Sequence, residues 1–267
     1  MPEISSREKP SRLVLLMGKI KGIFVVTLVA VVYIWSARGV GFNLFEIIRE
    51  LPSFFNLLWD MVPPNWAYFV RLIGPLLETF QTAIAGTVLG TLLAVPLILL
   101  ASSNVNPNKP LYYVSKGFMN LARTIDPMLY AAILVAGVGL GAFAGMLALT
   151  FFSMAINAKL TSESLEAIDD GPLEALKACG GNKLEMIRYA VVPQIMPTFA
   201  SYTLFVFEIN IRASTVLGLV GAGGIGVNLN TSLNLFRYPN AAMVLLTTFV
   251  IVVLIDQLSN VLREELV

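Results

Sequence analysis

Apolar residues in this chain of 267 residues gather in six long stretches separated by short polar segments. A helix that crosses a membrane needs about 20 mostly apolar residues, and each stretch approaches or exceeds that length. The third stretch is interrupted by Asp126 and Pro127. Because no segment alternates as the strands of a membrane barrel do, the pattern predicts an all-α membrane protein with about six transmembrane helices. The stretches cover about residues 19–38, 79–101, 111–138, 141–160, 195–217 and 240–262.

Residues 43–62 carry a different pattern, in which apolar side chains recur at helical spacing among polar ones. Asn43, with Glu46 three residues later, is a suitable helix start, and Pro52 should kink or split the helix. We predict a helix that lies on the membrane or against the bundle, either as scaffold or as a contact for a substrate receptor. Residues 1–74 are thus expected to hold an anchor helix and this external helix, and residues 75–267 the transmembrane core.

The stretch 170–193 is polar and predicts two short helices joined by a turn. Gly171 is a suitable cap for the first helix, which would place Glu174 third, where a carboxylate favours the helix dipole. A glycine pair then ends this helix, and Asn182 with Glu185 forms a capping box for the second. A rigid polar hairpin between apolar spans is expected to dock on a partner in the aqueous phase.

Lysine and arginine are unevenly distributed between the two sides of the predicted topology. Short loops rich in these residues stay in the cytoplasm, so the bias places both termini and the loop 162–193 inside. Arg212 and the glycine-rich segment 218–226 then lie toward the outer side. The inside segments hold Arg7, Lys9, Arg12, Lys19, Lys21, Lys109, Lys116, Lys159, Lys177, Lys183, Arg188 and Arg263, and the outside segments hold Arg38, Arg49, Arg71 and Arg237.

Composition excludes most enzyme chemistry. The chain is 57% hydrophobic and 13% charged, it has no histidine, and Cys179 is its single cysteine. This removes His-based acid–base catalysis, Cys/His metal sites and an internal disulfide. The sequence contains no G-x-x-x-x-G-K-[ST] phosphate loop, so any nucleotide site of that type must lie elsewhere. With a net charge of only +1, we expect no nucleic-acid partner, and we expect no catalytic residue, metal or cofactor.

The spacing within the hairpin resembles the EAA loop of ABC-importer membrane subunits. That loop reads Glu-Ala-Ala, three residues, Gly, nine residues, then Ile-x-Leu-Pro, and here Glu174, Ala175, Gly180 and Pro193 match it. The departures, at Leu176, Ala190 and Val192, each replace one small or apolar residue by another. In that family the loop is a coupling helix, which seats in a cleft of a separate ATPase subunit. The resemblance implies the same role for these four matching residues.

A second segment, from Phe207 to Gly226, ends in Gly221-Ala-Gly-Gly-Ile-Gly226. This run matches the dinucleotide fingerprint G-x-G-x-x-G, but it follows a membrane helix instead of a strand and lacks the later acidic residue. A glycine turn between helices is the better interpretation. The segment closely resembles the corresponding run of phosphonate-importer permeases. The resemblance of the chain to that family covers about residues 75–265, and it includes Leu121–Ile125, Val138–Gly145 and Glu166–Asp169.

This resemblance implies a five-helix type I importer core in the bacterial cytoplasmic (inner) membrane. It also implies three partners: a dimer of ATP-binding cassette ATPase subunits, a periplasmic or lipid-anchored solute-binding protein, and a second copy of the permease. The expected cargo is a phosphonate or related phosphorus oxyanion, with phosphonate, phosphite, hypophosphite and phosphate all left open. A related glycine turn occurs in methionine-type importers, so the turn indicates the permease class better than the cargo.

Polar residues within the spans are the candidates for a translocation path. Glu208 and Arg212 are four residues apart and can pair on one helix face, either as a structural ion pair or with Arg212 helping an anion to pass. Arg123 either helps an anion to pass, as proposed for Arg212, or lies near the lipid headgroups. Asn210 either lines the path or hydrogen-bonds between helices. The path or gate candidates are Arg123, Asn210, Arg212, Gly221, Gly223, Gly224 and Gly226.

Two other functional classes compete with an ATP-driven importer. An ion-coupled secondary transporter predicts buried carboxylates that titrate, and transport without an ATPase. An intramembrane enzyme needs a nucleophile–base pair that the sequence lacks. The hairpin favours the importer over the secondary transporter, and the lack of histidine counts further against the enzyme.

Overall fold

The computed structural model describes the backbone of residues 12–264, and the side chains in that range other than those of residues 12–20 and 44. Its elements within this range are α-helices and short 3₁₀ or π turns, which confirms the all-α prediction. One compact unit ends at Leu57 and a second begins at Leu58; the functional boundary near residue 74 stays a prediction. The helices are α1 (Arg12–Gly39), α2 (Leu44–Asp60), α3 (Phe69–Leu100), α4 (Lys109–Thr124), α5 (Pro127–Val138), α6 (Ala142–Glu166), α7 (Gly171–Ala178), α8 (Lys183–Met186), α9 (Val192–Leu217), α10 (Ile225–Asn234) and α11 (Tyr238–Glu264).

The first unit holds α1 and most of α2. From residue 21 onward the apolar side chains of α1 are exposed, as expected of a helix that meets lipid. The amphipathic segment forms α2 as predicted, and the side chain of Asn43 accepts a hydrogen bond from the Phe45 amide at its start. The helix continues through Pro52 without a break.

The second unit is built around the close contact of α3 with α6. Gly86 and Gly90 on α3 face α6 so closely that a Cβ atom added to Gly90 would lie 2.5 Å from the Cβ of Ser153 and 2.6 Å from the carbonyl oxygen of Thr150. Small residues spaced four apart let membrane helices approach at backbone distance, where packing rather than hydrophobicity holds them together. This pair therefore forms the fixed centre of the bundle.

The third predicted span is broken where the sequence indicates. Helices α4 and α5 meet at an angle of 88°. The Asp126 side chain caps α5 by accepting from the Met128 amide, and Pro127 occupies the first position of that helix. The hydroxyl of Tyr130 donates to the carbonyl of Ala122 across the break. Within residues 12–264, five helices are long and apolar enough to cross a membrane, or six if the bent pair counts as one span.

The second unit has two ends that differ in chemistry. At the hairpin end, α7 and α8 connect α6 to α9, and a core cluster that includes Leu165, Leu173 and Val191 lies beneath them. At the opposite, glycine end, the turn between α9 and α10 packs against the starts of α3 and α6. Every predicted span thus falls on an observed helix or on the bent pair.

Candidate functional site

The first helix of the hairpin 170–193, α7, begins one residue earlier than the sequence pattern predicts. Gly171 is the first residue of α7 and Asp170 precedes it as the cap position, so the prediction that Gly171 is the cap is off by one. The reason is local: the carboxylate of Asp169 accepts from the Gly171 amide at 3.0 Å. Glu174 remains in the first turn, where its charge favours the helix dipole.

Gly180 closes α7 in the left-handed conformation, with φ of +78°. The Gly181 amide donates to the Leu176 carbonyl at 2.9 Å, and the Gly180 amide donates to the Lys177 carbonyl at 3.0 Å. These two bonds define a Schellman motif, which ends a helix sharply and favours glycine at the left-handed position. The chain therefore reverses at a fixed point.

The second half of the hairpin is continuous with a membrane helix. The predicted capping box is confirmed, since Asn182 and Glu185 each accept from the other's backbone amide, at 3.0 and 2.7 Å. Helix α8 then passes through a π turn, Ile187–Val191, directly into α9. Pro193 is the second residue of α9, and its missing amide hydrogen removes one backbone hydrogen bond to the preceding turn. Helix α8 is thus joined to α9 without an intervening loop.

One face of the hairpin packs on the bundle and the other is exposed. Leu173 is buried in the core beneath it, whereas Glu174, Ala175 and Gly180 are exposed. The exposed face also carries apolar side chains, with Leu184 75% and Tyr189 62% exposed. Glu174 makes no ion pair with any residue that the structure describes. Such a face is suited to binding a partner protein.

The two ends of the hairpin are tied together by Gln194. Its side-chain amide donates to the carbonyl oxygens of Asp169 and Ala190, and its side-chain carbonyl accepts from the Asp169 amide. Asp169 follows α6 and Gln194 belongs to α9. The hairpin is therefore anchored at its base while its tip remains exposed.

An open cavity of about 460 Å³ lies at the break between α4 and α5, facing α9. It brings together Arg123 and Arg212, which are 89 positions apart in the sequence, with Asp126 between the two helices. Guanidinium groups at an apolar wall provide several N–H donors for an oxyanion. The remaining lining is mostly apolar and includes Phe152, Ile209 and Val216.

The predicted pairing of Glu208 with Arg212 is present in the structure, and Glu208 has a second arginine partner. Glu208 is 5% exposed, and its two oxygens contact Arg212 and Arg263, the latter at 2.5 Å. The Arg212 side chain is half-exposed toward the cavity and lies 4.0 Å from Asp256. The carboxylate thus contacts the terminal Nη2 atom of Arg212, while about half of the Arg212 side chain remains exposed.

Asn210 occupies a different place from the two arginines. It is fully buried, and its amide nitrogen donates to the hydroxyls of Thr87 at 2.7 Å and Ser153 at 2.6 Å. These bonds join α9 to both α3 and α6. This geometry matches the helix–helix hydrogen bond that was one of the two expectations for Asn210.

The glycines of the predicted gate have two distinct positions. Gly221, Gly223 and Gly224 have positive φ and line a second open cavity of about 390 Å³, together with Glu78. Gly226 instead packs on α9, where an added Cβ atom would lie 1.9 Å from the Thr215 carbonyl oxygen. The turn is closely packed at both places, since a Cβ atom added to Gly223 or Gly224 would lie 2.6 Å from a side-chain oxygen of Glu78 or Thr79.

Two of the shorter ion pairs were not predicted from the sequence because they join distant positions. Lys116 and Glu166 are 50 residues apart, and Glu208 and Arg263 are 55 apart. Helical spacing rules relate only residues three or four apart. The sequence carries only a weaker indication of these pairs: each residue is charged and lies on a largely apolar helix. Charged residues in such helices usually face the bundle interior and pair with one another.

This chain is similar in sequence and in fold to known transport permeases. Residues 86–264 match the family described as binding-protein-dependent transport system inner membrane component. A phosphite transport system permease protein of Stutzerimonas stutzeri is 34% identical over 249 residues, covering 93% of this chain and 89% of that protein. An Escherichia coli K12 protein named as a cryptic phosphonate transport system permease is 45% identical over 122 residues, 46% of this chain and all of that protein. The fold is similar to a chain of an inward-facing methionine ABC transporter, with a TM-score of 0.67 and 19% identity over 76% of this chain and 99% of that one.

Proposed function

The chain belongs to the binding-protein-dependent transport system inner membrane component family, and from this premise we propose that it is the translocation subunit of an ATP-driven importer for phosphonates or related phosphorus oxyanions. Membership in the family implies an ATPase partner and a solute-binding protein. The cargo class is supported by the printed names of the relatives, which specify phosphite and phosphonate transport. The chain itself supplies a membrane path and performs no chemistry.

The hairpin is the single observation that carries this proposal. It is capped at both turns, exposed on one face and continuous with α9. A rigid element that joins an aqueous face to a membrane helix can transmit the closure of an ATPase. An ion-coupled secondary transporter has no use for such an element. In the proposal, Glu174, Ala175, Gly180 and Pro193 form the ATPase-coupling site.

We propose the orientation and assembly on the same basis. Both termini and the hairpin are cytoplasmic, which is supported by the excess of basic residues in the segments on that side. A second copy of the chain completes the path, since the arginine cavity is open on one side in a single chain. The solute-binding protein docks at the glycine end and selects the cargo.

Reversing the charge of Glu174 tests the coupling site. We expect Glu174→Arg to weaken association with the ATPase about tenfold or more, because a like-charge or unpaired group in an interface costs several kcal/mol. The measurement is co-purification of the ATPase with the permease, together with ATP hydrolysis stimulated by the loaded binding protein. Charge reversal at exposed Glu264, the last residue of α11, serves as the control. If association and stimulated hydrolysis were unchanged in Glu174→Arg, this coupling site would be wrong.

Arg212 is expected to act on the cargo rather than on the fold. Arg212→Gln leaves Glu208 paired with Arg263, so the protein should fold normally. Loss of a charge-assisted donor is worth about 1.5–3 kcal/mol, so we expect transport to fall about tenfold or more. Uptake of phosphite and phosphonate measured beside thermal unfolding separates the two roles. Asp256→Asn, at the half-exposed neighbouring carboxylate, is the matched control; equal losses in both variants contradict a cargo role for Arg212.

The identity of the cargo follows most directly from the binding protein. We expect that protein, purified from the same cell, to hold a phosphorus oxyanion, detectable by mass spectrometry and by calorimetry with phosphonate, phosphite, hypophosphite and phosphate. A bound amino acid, such as methionine, would contradict the cargo proposal while leaving the coupling proposal intact.

A further inference from the structure

Glu166 is the centre of a polar cluster at the hairpin end, formed by Ser103, Tyr112, Lys116 and Glu166 and here called the Glu166 cluster. One carboxylate oxygen accepts from Lys116 at 2.7 Å, and the other accepts from the Ser103 amide at 3.0 Å. Lys116 also donates to the Tyr112 hydroxyl at 2.6 Å. The side chains of Lys116 and Glu166 are only 21% and 22% exposed, so solvent screens this pair less than a surface pair.

The position of the cluster is unusual for an ion pair that only stabilises a helix. Glu166 is the last residue of α6, immediately before the segment that leads into the hairpin. Lys116 belongs to α4, and Ser103 to the loop between α3 and α4. Asn104, in the same loop, donates to the carbonyl oxygens of Leu165 and Glu166. The last residue of α6, four positions before the hairpin, is therefore bonded to α4 and to the loop that precedes α4.

Helix α4 connects this cluster to the arginine cavity. Lys116 and Arg123 are seven residues apart, two helical turns on one face, which corresponds to about 10 Å along the axis. Arg123 lines the cavity, and α4 ends at the break just beyond it. Buried Met119, between the two, packs in the same core cluster as Leu165. Helix α4 thus provides a continuous connection from the Glu166 cluster to Arg123.

We infer that Lys116 and Glu166 are positioning residues that transmit hairpin movement to the α4 wall of the cavity, as a second route beside the one through the π turn and α9. This inference rests on the proposed function, because it needs a hairpin that moves. In the complete transporter, both cavity walls then respond to ATP: the α9 wall through the π turn, and the α4 wall through the Glu166 cluster. Loss of the cluster uncouples one wall and leaves the other.

The test reads each wall separately with a single cysteine. In a Cys179→Ser background, cysteine is placed at exposed Thr124 on the α4 wall or at exposed Val216 on the α9 wall. The rate of maleimide labelling is measured in the assembled transporter with and without ATP. We expect both positions to respond in the otherwise unaltered chain. With Lys116→Met and Glu166→Gln introduced, the response at Thr124 should be lost and that at Val216 kept, while cargo moved per ATP falls about fivefold or more, a typical coupling factor.

Two further variants control for stability and charge. Lys159 and Glu163 form an ion pair of the same length, 2.7 Å, within α6 alone, so Lys159→Met with Glu163→Gln should leave both labelling responses unchanged. Exchanging the cluster charges, Lys116→Glu with Glu166→Lys, should restore the response at Thr124 at least in part. A normal response at Thr124 in Lys116→Met with Glu166→Gln overturns the inference. If neither cysteine responds to ATP in the unaltered chain, the coupling proposal fails together with it.

Discussion

Replacing Gly180 by valine should reduce coupled transport at least about tenfold while leaving the membrane helices in place. Gly180 has φ of +78°, a conformation that costs an ordinary residue about 1–2 kcal/mol and a β-branched residue more. Nothing lies within 4 Å of the position where the new Cβ would be, so the effect comes from the backbone and not from a collision. The Schellman turn should open, α7 should lose its fixed end, and the face that carries Glu174 should turn away from its partner.

Gly180→Asn is the matched control for this prediction, because asparagine tolerates the left-handed conformation and often ends helices. We expect transport and ATPase association to fall at least about tenfold in Gly180→Val, the change that 1.4 kcal/mol produces in an equilibrium. Gly180→Asn should stay close to the unaltered chain. Equal activity of the two variants would show that the turn geometry has no part in coupling.

Removing the Glu208 carboxylate should have the largest effect on stability. Glu208→Leu leaves Arg212 and Arg263 without the carboxylate that both of them contact. Breaking a buried pair by removing one partner costs about 3–5 kcal/mol. The Nε atom of Arg263 is already buried without a hydrogen-bond partner among the described residues, so this arginine has little else to bind. We expect poor yield and an apparent unfolding temperature lower by about 10 °C, measured in detergent.

The stability of Arg212→Gln is the comparison for the stability of Glu208→Leu. It removes one of the two arginines and leaves the buried carboxylate paired, so it should retain most of the stability that Glu208→Leu loses. If Glu208→Leu unfolded at the same temperature as the unaltered chain, the carboxylate would have no structural role. The group formed by Glu208, Arg212 and Arg263 would then belong entirely to the translocation path.

The features that sequence predicted are those governed by local rules. The capping box at Asn182 and Glu185, the break at Asp126 and the end of α7 at Gly180 each depend on a few neighbouring residues. Helix caps, prolines and left-handed glycines act within about one helical turn, so their effects can be predicted from the sequence without knowing the fold. The spans were predictable for a related reason, because lipid demands a long apolar run.

The features that sequence missed depend on how helices pack. The bond of Lys116 to Glu166 requires α4 to lie along α6, and that of Glu208 to Arg263 requires the end of α11 to reach the middle of α9. The π turn Ile187–Val191 likewise has no local signal in the sequence. Asn210 could be described beforehand only as two alternatives, because the same buried amide suits either a path or a helix contact.

Transport itself gives the most direct test of the central claim, that this chain moves phosphorus oxyanions by coupling to a separate ATPase through the hairpin. The permease, its ATPase and its binding protein are reconstituted in liposomes, and uptake of labelled phosphite or phosphonate is followed with ATP on the hairpin side. We predict uptake that requires all three proteins and ATP, and that falls at least about tenfold in Gly180→Val but is kept in Gly180→Asn. Uptake driven by an ion gradient without the ATPase would contradict the account.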